Sequence, residues 1–133
     1  VKVLFSCVEN SCRSQIAEAL AKKFTNQGID FLSGGSEPSG VVNPMAIKLL
    51  RSEGINLISH KSKNVSEFEN IKIDYLISMG CGDLCPNVFA DKRIEWNIPD
   101  PKNMNESEFQ DVIENIRGKV LRLIDTIYNE HSL

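Results

Sequence analysis

A short apolar run, Lys2-Val3-Leu4-Phe5-Ser6, stops abruptly in polar sequence, and from Arg13 onward apolar residues recur every three or four positions. The first pattern is that of a buried parallel strand. The second, carried by Ile16, Ala17, Leu20, Ala21 and Phe24, is an amphipathic helix, with Gly28 where a C-terminal cap belongs. A strand feeding a helix through so short a loop is the opening of a right-handed βα unit, and the rest of the chain continues the alternation. A second strand is expected over Ile29 to Ser33, followed by a loop at Gly34-Gly35 and at Glu37-Pro38-Ser39-Gly40. Pro44 opens a helix with Ala46, Ile47, Leu49 and Leu50 inward, ending near Gly54. A short helix at Val65 to Phe68 interrupts a polar stretch, strands follow at Ile73 to Met79 and Arg93 to Trp96, and Pro99-Asp100-Pro101 is a loop. The clearest element runs from Ser107 to Tyr128, where Phe109, Val112, Ile113, Ile116, Val120, Leu123, Ile124 and Ile127 track one face; Gly118 costs it about 1 kcal/mol without breaking the period. The order implies an α/β fold layered around a parallel sheet.

With 133 residues, 41% of them hydrophobic, the chain makes one domain, 1–133, whose core needs no disulfide. A net charge of −3 excludes broad non-specific nucleic-acid binding, so any anion site must be local. No window reaches the roughly 20 apolar residues of a membrane span, and the first residues are too short a run for a signal peptide. A cytoplasmic protein is expected, and a monomer, since no exposed apolar stripe is evident.

Ligands of open parallel sheets sit beyond the carboxyl ends of the strands. Three loops reach that edge: Cys7 to Ser14, Gly80 to Pro86, and Pro99 to Pro101. In the first, Cys7-Val8-Glu9-Asn10-Ser11-Cys12-Arg13-Ser14, backbone N–H groups and the helix dipole can point together at one tetrahedral anion. The planar fork of Arg13 can grip two of its oxygens. The same field favours a thiolate at Cys7, with the Ser14 hydroxyl placed to donate to it, and Asn10 suits the left-handed turn such a loop needs. The plainer alternative makes Cys7 a small buried hydrophobe and Arg13 a solvated helix start. Cys12 is read as structural.

Cys81 and Cys85, in Met79-Gly80-Cys81-Gly82-Asp83-Leu84-Cys85-Pro86, stand four apart, close enough for a disulfide if the loop is helical or bent. Phosphoryl transfer to water consumes no electrons and would leave this pair idle. A four-cysteine zinc site matches the spacing only loosely and would waste the Arg13 cradle. His60 reads as a polar loop residue and His131 as part of a frayed tail.

Cys7, Arg13 and Ser14 match the C-x5-R-S cradle of the low-molecular-weight protein tyrosine phosphatases, with Asn10 and Cys12 in positions that family favours. The likeness extends through Gln15, Ala17 and Glu18, Asn43-Pro44 and Asp100-Pro101. The chain therefore resembles that family over nearly its whole length, and within it the arsenate reductases coupled to thioredoxin. The resemblance implies a three-layer sandwich on a central four-stranded parallel sheet. It implies an arsenate reductase in which Val8 to Arg13 bind the oxyanion (arsenate, or phosphate or sulfate in its place). Cys7 attacks arsenic, Asp100 donates a proton, and Cys81 and Cys85 carry the oxidation as a disulfide to thioredoxin or a similar dithiol, with no cofactor or metal. Some members bind potassium near the cradle. Glu18 and Ser33 match two of those positions, but Lys63 occupies a third, acidic one, so an ammonium group replaces the ion.

The chain departs from its relatives at Glu9, where many carry Gly; its carboxylate is expected to point outward. Lys102-Asn103 replaces the aromatic residues that sandwich a phosphotyrosine ring, and Gln15 replaces a common proline; both favour a small inorganic oxyanion. The competing functions are a phosphatase acting on phosphotyrosine or small phosphomonoesters, a reductase served by a low-molecular-weight thiol with a glutaredoxin-like partner, and a non-enzymatic arsenite or metal sensor.

Overall fold

A computed structural model describes residues 1–25, 27–57, 60–80 and 88–132. Its elements in chain order are β1 (Lys2–Cys7), α1 (Arg13–Phe24), β2 (Asp30–Gly35), α2 (Pro44–Arg51), a 3-10 turn (Val65–Phe68), β3 (Ile73–Ser78), β4 (Ala90–Glu95) and α3 (Glu106–His131). The four strands form one parallel sheet in the order β2-β1-β3-β4, with Leu4 beside Leu32 on one side and Leu76 on the other.

Alternation along β1 sends Val3, Phe5 and Cys7 into a large apolar cluster and Leu4 into a smaller one. The large cluster takes Ile16 and Leu20 of α1, Leu50 of α2, and Phe109, Ile113, Ile116 and Val120 of α3. The small one takes Val65 and Phe68 of the 3-10 turn with Ile73, Leu76 and Val88. Helical cover on both faces makes three layers. Complete burial of a side chain such as Leu20 contributes about 1.5–3 kcal/mol, so α1 is held mainly by packing. Among the described residues, no helix is long and apolar enough to cross a membrane.

The helix starts follow their caps. The Asn43 side chain accepts from the N–H groups of Met45 and Ala46, with Pro44 behind it. Asn105 and Glu108 form a reciprocal capping box at α3.

Several expected boundaries shift. Thr25, not Gly28, closes α1, its N–H bonded to Ala21 O. β4 begins at Ala90 rather than Arg93, because a strand at the sheet edge can carry Asp91, Lys92 and Arg93 toward water and so hides its period. His131 lies within α3 rather than in a frayed tail, edge-on to Tyr75 and 3.1 Å from its hydroxyl.

Gly34 and Gly35, expected in a loop, are instead the last residues of β2, and Gly35 pairs with Cys7. A β-carbon on Gly35 would stand 2.5 Å from Val8 O and 2.7 Å from Cys7 O, both backbone atoms with nowhere to go. The missing side chain lets β2 reach the loop after β1. Gly35→Ala is therefore expected to cost about 1–3 kcal/mol in urea unfolding and to weaken phosphate binding in calorimetry; a variant with unchanged midpoint and affinity would show that the contact gives freely.

Candidate active site

Strand order reverses direction between β1 and β3, the place where an open α/β sheet leaves a crevice at its carboxyl edge. A pocket of about 530 Å³ lies there, lined by Cys7, Val8, Glu9, Ser11, Cys12, Arg13, Glu37, Gly80 and Asp100. Residues from all three loops that the sequence directs to this edge thus meet. Cys81 and Cys85 lie outside the described residues.

The loop after β1 is built to present donors. Asn10 takes the left-handed conformation, φ 49°. The carbonyls of Val8, Glu9 and Ser11 accept from the N–H groups of Glu37, Ser39 and Asn43 on the neighbouring 37–43 segment, at 2.8, 3.1 and 2.9 Å. In a trans peptide the N–H of the next residue points opposite to the carbonyl. With those carbonyls turned outward, the N–H groups of Glu9, Asn10 and Cys12 turn inward. α1 begins at Arg13 with neither a side-chain cap nor an acidic residue in its first turn, so its positive end adds to the same concavity.

Cys7 Sγ lies 2.9 Å from Ser14 Oγ, both buried. The direction of this bond is set from behind. The backbone N–H of Lys63 can only donate, so the Asn10 atom it meets at 2.7 Å is Oδ1. Asn10 Nδ2 then donates to Ser14 Oγ at 2.8 Å, leaving the Ser14 proton for sulfur. Gln15 Nε2 donates to Asn10 Oδ1 at 2.9 Å and Lys61 O at 2.8 Å, so its Oε1 faces His60 Nδ1, 3.0 Å away, which carries the proton. Every bond from His60 to Cys7 runs toward the sulfur. His60, read from sequence as a polar loop residue, is packed into this chain.

Arg13 is 9% exposed; its Nη1 donates to Ile98 O at 3.0 Å and its Nη2 lies 3.8 Å from Asp100 Oδ2. Gly80, with φ +77°, lies so close that a β-carbon there would stand 2.3 Å from Arg13 Nη1. Asp100 is held from the other side by the Lys102 N–H at 3.1 Å. Cys12 differs sharply from Cys7's setting: burial, then the charges of Asp100 and Cys7, push its thiol up to about 12, so it stays protonated at neutrality. Cys7 Sγ, by contrast, faces the Ser14 hydroxyl. Glu9 is among the residues lining the pocket, and its carboxylate, which is partly exposed, is paired with Lys102, whose Nζ lies 3.3 Å from both of its oxygens.

The model of the low molecular weight phosphotyrosine protein phosphatase family matches residues 2–133. The chain belongs to this family. Within it, the chain is 34% identical over 129 residues to the glutaredoxin arsenate reductase of Synechocystis sp., covering 95% of this chain and 98% of that one. It is also similar to a solved arsenate reductase in its phosphate-binding state, at 35% identity and TM-score 0.85, covering 95% and 98% of the two chains. A thioredoxin-dependent arsenate reductase of Corynebacterium glutamicum aligns at 30% identity and TM-score 0.76, over 97% of this chain and 62% of that one.

The potassium position of some family members does not fit a cation in this chain. Glu18 is buried, which by itself pushes its carboxyl up, but hydrogen bonds from Lys22 and Ser33 outweigh this and hold it below the usual carboxylate range. Lys22 Nζ is 2.6 Å from Glu18 Oε2, and Lys63 Nζ is 3.9 Å from Oε1 and bonded to Lys61 O. Two ammonium groups already answer the one carboxylate. Among the described residues, no cluster of His, Cys, Asp and Glu could hold a metal ion.

Sequence reasoning located Cys7, Asn10, Arg13, Ser14 and Asp100. It missed Glu37 and the packing of His60, and it named Gly80 and Lys102 without the contacts they make, which join distant segments. The Gln15 and His60 pairing had no sequence signal, since 45 residues separate them. Burial lowers the pKa of His60, against the opposing pull of Glu18. The unfolded chain therefore takes up this proton first, and stability complete above the ordinary histidine pKa is lost as pH falls through the lower folded value. Thermal melts taken between about pH 7.5 and 5.5 should fall more steeply for the wild type than for His60→Gln; parallel slopes would remove His60 from the account.

Proposed function

We propose that this protein reduces arsenate to arsenite, with Cys7 as the nucleophile and Cys81 and Cys85 as an internal thiol relay. The observation that carries this reading is Cys7 at the floor of an amide-lined anion pocket, receiving the Ser14 hydroxyl at 2.9 Å, in a chain that carries a second pair of thiols. Its similarity to arsenate reductases over nearly its full length supports the same substrate.

The substrate oxyanion sits against the inward N–H groups of the Val8 to Arg13 loop and the Arg13 guanidinium. The Cys7 thiolate attacks arsenic; an S–As bond forms as an As–O bond breaks, and the oxygen leaves as water with a proton from Asp100. Cys81 then attacks the Cys7 sulfur. A disulfide forms, the S–As bond breaks, and its electron pair passes to arsenic, which leaves as arsenite. Cys85 attacks Cys81, releasing the Cys7 thiolate and storing two oxidising equivalents as a Cys81–Cys85 disulfide, which an external dithiol reduces by exchange. Arsenate and two thiols thus give arsenite, water and one disulfide, with no cofactor.

The dithiol is assigned to thioredoxin or a similar dithiol protein, because an internal relay ending in a two-cysteine disulfide is the form such a protein reduces directly. The protein acts as a single domain, 1–133, a cytoplasmic monomer without nucleic-acid or membrane partners. A phosphatase reading uses the same pocket but gives Cys81 and Cys85 nothing to do.

Cys81→Ser should reduce thioredoxin-driven arsenite formation over many turnovers to background, while inorganic phosphate binds the variant as tightly as the wild type. Continued multiple turnover in that variant would eliminate the relay.

A further inference from the structure

Phosphate and arsenate esters present the same tetrahedral head as the substrate proposed above, so a reductase of inorganic arsenate needs a means of telling them apart. Resting on that reading, we propose that Lys102, through its ion pair with Glu9, is a specificity-determining residue that bars the organic substituent of an ester from the mouth.

Glu9 and Asp100 both stand in the pocket lining, and Lys102 joins them, its Nζ bonded to Glu9 and its N–H to Asp100. Attack by Cys7 at the pocket floor is in line, so the departing oxygen lies opposite the sulfur, toward the mouth where Asp100 stands. For arsenate that oxygen carries only a proton. For an ester it carries the organic group, which emerges on the side of the pocket where Asp100 and Glu9 stand in the lining. Glu9 lies on the anion loop and Lys102 beside Asp100-Pro101, 93 residues apart in sequence, and Lys102 Nζ bonds both Glu9 oxygens at 3.3 Å. The pair therefore ties the two loops together.

An apolar substituent cannot replace either partner's interactions, so an ester must part the pair or leave two charges poorly solvated beside it. The two side chains are 57% and 37% exposed, which limits the cost of parting them to a factor of about five. That matches selectivity between related anions rather than absolute exclusion. Lys102 also neutralises Glu9, a carboxylate on the anion loop that would otherwise repel the incoming anion. The Lys102 main chain separately holds Asp100, so replacing only its side chain leaves that N–H contact available.

The experiment compares dissociation constants for inorganic phosphate and phenylphosphonate by calorimetry. Both are unreactive here and carry similar charge, so the repulsion of an unpaired Glu9 weakens both and cancels in their ratio. In Lys102→Met the ratio should shift toward phenylphosphonate by roughly five-fold, while Lys102→Arg, which preserves the pair, keeps the wild-type ratio. A shift of two-fold or more in the Met variant alone supports the proposal. A smaller shift, or an equal shift in both variants, overturns it while the oxyanion reading stands. Failure of either anion to bind the wild-type protein would overturn the oxyanion reading and this inference with it.

Discussion

The amide of Asn10 is the joint on which the pocket depends. Its backbone adopts the left-handed turn that lets the loop fold back above β1, and its side chain is locked by the Lys63 N–H into one orientation. From that orientation follow the donation to Ser14 and the freedom of the Ser14 proton to serve sulfur. A reversed amide would set Nδ2 against the Lys63 N–H, two donors facing each other. The network therefore has one sense, fixed when the chain folds and not reorganised as substrate arrives, which is what electrostatic preorganisation requires.

Holding such a loop takes support from segments far away in sequence. The 37–43 segment occupies the outward carbonyls, and Ser62 adds a second donor to Glu9 O. Gly35 gives the loop room against β2, and Gly80 does the same for Arg13 at the end of β3. A concave array of parallel N–H groups repels itself electrostatically, so it persists only where packing and the outward hydrogen bonds over-determine it. The sheet supplies that rigidity, and an oxyanion would relieve the repulsion.

Much of this is legible in the amino-acid sequence. The strand, loop and helix over the first two dozen residues, the single-faced period of α3, and the C-x5-R-S cradle each carry a local signal strong enough to survive folding. What stays hidden there depends on contacts between distant segments. Gly34 and Gly35 look like a turn until the proximity of the anion loop explains the missing β-carbon. β4 hides its period because it is an edge strand with charged residues facing water. His60 looks like a polar loop residue and Lys102 only like the replacement of an aromatic, since nothing near them in sequence reveals Gln15 or Glu9. The pairing of Glu9 is equally hidden, because its lysine partner lies on another loop.

The central claim is that Cys7, and not its neighbour Cys12, is the reactive thiol of an oxyanion pocket. Alkylation with iodoacetamide at neutral pH, mapped by mass spectrometry with and without inorganic phosphate, tests it most directly. The account predicts that Cys7 is labelled well ahead of Cys12 and that phosphate slows its labelling. Equal labelling of the two thiols, or labelling of Cys7 that phosphate does not slow, would contradict it.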